Sequence, residues 1–97
     1  MDKDNILRGK ILDMLRKVYP DGIDQKTLKS ILYQYHKIDS IVASLEYLVD
    51  TAYILVKEQP HPFLQQEKIQ WYKLTPKGLN LLDGNIDTDP GILIQRG

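Results

Sequence analysis

Ninety-seven residues, 42% of them hydrophobic, supply apolar material for one small core and too little for a second. Thirteen basic and thirteen acidic side chains cancel, so any charged surface has to come from distribution and not from a net excess. With no cysteine there is neither a disulfide framework nor a thiolate metal site, and the expectation is a cytoplasmic protein.

The opening MDKDNILRGK is charged and reads as neither a signal peptide nor a membrane anchor. From Asp4 to Tyr19, the residues Leu7, Ile11, Met14, Leu15 and Val18 recur at helical spacing. Asp2 or Asp4 is available as N-cap, and Pro20 stops the helix. Gly9 inside it costs up to about 1 kcal/mol relative to Ala, a cost consistent with close packing of another segment. Its outer face carries Arg8, Lys10, Arg16 and Lys17, read as a solvated surface.

Pro20-Asp21-Gly22 is a turn, and Asp24 caps a second helix from Gln25 to about Tyr35, with Leu28, Ile31 and Leu32 facing in and Lys26 and Lys29 outward. After a short turn, Ile38, Ile41, Val42, Leu45, Leu48 and Val49 define a third amphipathic helix over about 38–50. Its opposite side holds Asp39, Ser40, Ala43, Ser44, Glu46 and Tyr47. From Lys37 to Asp50 there is one Lys against three acids, whereas from Lys57 to Lys77 there are four Lys against two Glu.

Tyr53 to Val56 is β-branched and aromatic, as a strand requires. Residues 59–68 contain two prolines and read as a loop; Ile69 to Leu74 is then the return strand of a hairpin. Thr75-Pro76 supplies a cap and a proline start for a short fourth helix, with Leu79, Leu81 and Leu82, and Gly84 as its stop. The expected core is Leu7, Ile11, Leu15, Leu28, Leu32, Ile41, Leu45, Leu48, Ile54, Tyr72, Leu74 and Leu82.

Period-two alternation turns Ile54, Val56, Tyr72 and Leu74 inward and leaves Leu55, Ile69 and Trp71 outward, near the loop residues Phe63 and Leu64. Such a cluster calls for cover, either from the terminal run Ile92-Leu93-Ile94, from a second subunit or from a foreign partner. Exchange of that run between two copies makes a homodimer the expected assembly. Chemistry has little support. His36 and His61 stand alone without further ligands at metal spacing, no glycine-rich phosphate loop follows a strand, and Asp21/Asp24 and Asp87/Asp89 read as turn and cap residues. No catalytic residue, cofactor or metal is expected.

Three segments carry a family resemblance: Gly22-Ile23-Asp24 with Leu28; Ile41, Leu45 and Leu48 followed by Asp50-Thr51-Ala52-Tyr53-Ile54; and Tyr72-Lys73-Leu74-Thr75-Pro76-Lys77-Gly78-Leu79. In that order they resemble the winged helix-turn-helix superfamily of small bacterial or phage transcriptional regulators, over about residues 4–84. Ala52 stands where the family usually has glycine.

The resemblance implies an α+β winged helix over residues 1–84: a three-helix bundle, a minimal strand at Ile23, a β-hairpin wing and a short fourth helix, with an extended tail over 85–97. It further implies sequence-specific binding of double-stranded DNA, with the helix at 38–50 in the major groove and the wing at 53–74 on the backbone. Ser40, Ala43, Ser44 and Tyr47 would meet base edges and Lys37 a guanine or phosphate; Lys26, Lys29, Lys57, His61 and Lys68 would hold phosphates. The alternative is a protein-interaction module of the same fold, with Leu55, Phe63, Leu64, Ile69, Trp71 and Ile92 to Ile94 as interface.

Overall fold

The computed structural model describes residues 3–94; Asp2, considered as a cap, lies outside them. Among the described residues the order is α1 (Lys3–Val18), β1 (Gly22–Asp24), α2 (Gln25–Leu32), α3 (Ile38–Asp50), β2 (Ile54–Pro60), β3 (Lys68–Leu74) and α4 (Pro76–Asp83). This is a compact α+β arrangement of four helices and one antiparallel sheet with strand order β1-β3-β2. None of these helices is long and apolar enough to cross a membrane.

Local chemistry sets most boundaries. The Asp24 carboxylate accepts from the Thr27 amide at 3.0 Å and the Thr27 hydroxyl at 2.6 Å, which starts α2. Thr75 accepts from the Gly78 amide at 3.1 Å and starts α4, while Gly84, at φ 77°, ends it in the left-handed region. At the exit of α3 the same backbone region is occupied by Ala52, at φ 65°, so the chain makes its turn into β2 without the usual glycine.

Two boundaries differ from expectation. Helix α2 ends at Leu32, leaving a turn in which the Tyr35 and His36 amides both bond the Leu32 carbonyl. Ile31, expected to face inward, is 51% exposed, whereas Leu28 and Leu32 of the same helix are buried. Strand β2 continues through Gln59 to Pro60, which pairs with Lys68 where a loop was expected. Because β2 is an edge strand, the proline's missing N–H interrupts no ladder on its free side.

All twelve expected core residues are buried, joined by Leu12, Tyr53, Leu81 and Ile92. Ile92 belongs to the tail, which is folded and not extended: the Leu93 amide donates to the Asn5 carbonyl at 3.0 Å and Asn5 Nδ2 to the Pro90 carbonyl at 3.1 Å. Residues 89–94 therefore dock on the chain's own α1. A β-carbon at Gly9 would collide with the Leu93 carbonyl oxygen, so this glycine is the close-packing site that its helix position foreshadowed.

Candidate macromolecular interface

The side of α3 facing solvent differs from the side that amphipathicity alone suggests. Burial centres on Ile41, Ser44, Leu45 and Leu48, while Ile38 is 43% exposed. Ser44 is 1% exposed and cannot reach a base edge, which removes it from the reading face. Tyr47 is removed as well: its hydroxyl donates to Asp89 Oδ1 at 3.1 Å, and the Arg8 guanidinium stacks 3.9 Å from its ring centroid. Arg8 also donates to the Gly91 carbonyl at 2.9 Å. The tail and α1 thus cover the flank of α3 that carries Ser44 and Tyr47.

What remains open on α3 is a straight stripe of Asp39, Ala43, Glu46 and Asp50, at i, i+4, i+7 and i+11. Lys37 precedes it as an exposed N-cap residue with no side-chain cap bond. Ser40 is half-buried in a cleft with Lys3, Asp4, Tyr33, Tyr35, His36 and Lys37. Beside the C-terminal half of the stripe a second cleft brings Glu46, Val49 and Asp50 against Val56, Gln70 and Tyr72 of the sheet. Ala43 and Lys37 are the expected base-contacting residues fully open to a partner, and three carboxylates surround Ala43 on the stripe.

The expected phosphate-contacting residues fall in three places. Lys26, His61 and Lys68 line one cleft between the start of α2 and the wing, together with Asp24, Gln25 and Glu67. Lys68 pairs with Glu58 at 3.5 Å, and His61 Nδ1 accepts from the Phe63 amide at 3.1 Å and the Leu64 amide at 3.0 Å. Lys57 lies on the opposite face of the sheet with Trp71 and Lys73, away from this cleft. Lys29 is half-buried on α2.

Of the expected protein-interface residues, Phe63 is 87% exposed and Leu64 half-exposed at the wing tip, and Leu55, Ile69 and Trp71 are half-buried. Ile92, Leu93 and Ile94 lie on α1 of the same chain, Ile92 within the core, so the tail does not cover the outer sheet cluster. The anticipated crossing of this tail onto a partner's wing is therefore not what buries its apolar residues.

Sequence reasoning missed an exposed apolar surface at the α2–α3 turn, formed by Ile31, Tyr33, Tyr35 and Ile38. Lys10 Nζ sits 5.6 Å from the Tyr35 ring centroid. Burial, reinforced by the charges of Lys10 and Lys3, holds the neighbouring His36 below its ordinary range. The available signal was the run of two tyrosines within three residues just before the α3 cap. Among the described residues no three His, Cys, Asp or Glu side chains converge as metal ligands would. Comparison with protein-family models, with curated proteins and with solved structures finds no match to this chain.

Proposed function

We propose that the chain is a winged-helix domain whose α3 engages a protein partner with a basic surface. The winged-helix reading is supported by the order of the elements and by β1 closing a sheet onto the β2–β3 hairpin. The protein-partner reading rests on one observation: the open stripe of α3 carries Asp39, Glu46 and Asp50 and no Lys or Arg. Duplex DNA presents one negative charge for about every 1.7 Å of axis, so three carboxylates on the inserted helix oppose its approach. Ala43, Ile38 and Val42 between and beside the carboxylates offer short aliphatic contacts of the kind a protein surface accepts.

A second reading, duplex DNA binding, is favoured by the convergence of Lys26, His61 and Lys68 between α2 and the wing. Two titrations separate them. Isothermal calorimetry with an oligolysine peptide is expected to give binding that is lost when Asp39, Glu46 and Asp50 are all changed to Lys. Labelled duplex DNA is expected to show no salt-sensitive binding. If the wild-type chain binds duplex with a log–log salt slope steeper than about −3.6, the equivalent of four neutralised phosphates, the protein-partner reading is wrong.

A further inference from the structure

The sheet face turned away from the helices carries Leu55, Lys57 and Gln59 of β2 and Ile69, Trp71 and Lys73 of β3. Opposed residues project to the same side, which sets Lys57 across from Trp71 and Lys73 across from Leu55. These strands put no carboxylate on this face. Neither lysine has an ion-pair partner among the described residues. On the adjoining β1, Asp24 is committed to capping α2, and Asp21 at the rim is the acid that lines the groove with Lys57, Trp71 and Lys73.

Trp71 is held in a particular attitude. The pyrrole edge of its indole, Nε1 and Cδ1, fills the space that a β-carbon at Gly22 would take, so the ring leans across β1 instead of standing clear of the sheet. An indole flattened in this way offers a stacking platform, with Lys57 directly across from it on β2 and Lys73 two positions along its own strand on the same face. Diagonal neighbours on a sheet, as Lys57 and Lys73 are, sit about 7–8 Å apart at the backbone, close enough for their long side chains to reach neighbouring phosphates of one extended strand. A second copy of the chain stacked on this face would oppose lysine with lysine. An anionic occupant with flat apolar groups satisfies both the charges and the ring.

We infer that the outer face of the sheet binds single-stranded nucleic acid, with Lys57 and Lys73 on successive phosphates and Trp71 stacked on the base between them. This surface is separate from the α3 stripe, so the inference and the protein-partner reading stand or fall independently.

Trp71 is the one tryptophan of the chain, and its intrinsic fluorescence therefore reports directly on the site. Titration with an oligothymidylate of about twelve nucleotides should quench that fluorescence. The log–log salt dependence should have a slope of about −1.4, corresponding to two phosphate contacts on a single strand. Changing Lys57 and Lys73 together to Glu should abolish quenching while the far-ultraviolet circular dichroism stays that of the wild type. Trp71→Ala, followed by anisotropy of the labelled oligonucleotide, should weaken binding between about fivefold and a hundredfold. Absence of quenching at low salt overturns the inference. So does equal binding of poly-L-glutamate unaffected by Trp71→Ala, which would mark an acidic-peptide site, or of duplex DNA as tight as the single strand.

Discussion

The Tyr53 hydroxyl donates a hydrogen bond to Asp89 Oδ2 at 3.0 Å, across 36 positions of sequence. The other oxygen of the same carboxylate accepts from the Tyr47 hydroxyl at 3.1 Å and from the Gly91 amide at 2.8 Å. One side chain thus ties α3, the entry to β2 and the tail together, and places Ile92 in the core. Asp89→Ala should leave two partly buried hydroxyls without their acceptor and lower stability by about 1–3 kcal/mol, measured by urea unfolding.

The same contacts set a pH dependence. Burial pushes the Asp89 carboxyl up, but the Gly91 amide, the hydroxyls of Tyr53 and Tyr47 and the Arg8 guanidinium outweigh it and hold the group below its ordinary 3.8. A lowered folded value means that its stabilisation is complete above the unfolded value and is lost as pH falls through the folded one. Tyr53 is opposite in sign: burial first, then the hydrogen bond to Asp89 and its charge, push the phenol from 10.0 up to about 12. Its contribution is complete below pH 10 and is lost as pH rises toward 12. Thermal midpoints should therefore decline on both sides, and Asp89→Asn should flatten the acid limb. An unchanged acid limb in that variant would show that Asp89 is not its source.

Gly9→Ala tests tail docking without touching Asp89. Alanine is the better helix former by up to about 1 kcal/mol, yet its β-carbon would meet the Leu93 carbonyl oxygen, which is backbone and cannot swing aside. The expected net outcome is a loss of about 1–2 kcal/mol. The Leu93 amide, bonded to Asn5 in the native chain, should exchange with deuterium much faster.

Ala52→Gly should have the reverse effect. An L-residue in the left-handed region costs about 1–2 kcal/mol. Glycine removes that cost but gives back about 0.4–1 kcal/mol through its freer unfolded chain. A gain of about 0.5–1 kcal/mol is expected by urea unfolding, since Ala52 sits at φ 65°.

Elements defined by short-range chemistry were readable from sequence. Asp24, Thr75 and Gly84 act at the ends of their own helices, and periodicity identified Leu7, Ile11, Leu45 and Leu48 as core because each faces the bundle directly. What escaped depends on residues distant in sequence. Ser44 appears polar and outward on a helical projection, yet it lies on the flank of α3 that meets α1 and the docked tail. A tail in which Asp89-Pro90-Gly91 precedes a short apolar run gives no local sign of where it docks. The Lys57–Trp71 pairing required a register, and the extension of β2 through Pro60 required knowing that β2 is an edge strand. Asp39, Glu46 and Asp50 were visible as acids from the start; that they are all the charge on the open stripe of α3 emerges once Ser44 and Tyr47 are covered.

The wing tip separates stability from recognition. Phe63 is 87% exposed, so Phe63→Ser removes almost no buried area and should change unfolding free energy by less than about 0.5 kcal/mol. His61 differs, because its Nδ1 accepts from two successive backbone amides, those of Phe63 and Leu64, and so shapes the loop that presents Phe63. His61→Ala should free both amides and raise their hydrogen exchange, while amides in the core strands stay protected because nothing in the core rests on the loop. If either substitution unfolds the hairpin down to the Ile54–Leu74 pair, the tip contributes to the fold and is not an independent surface.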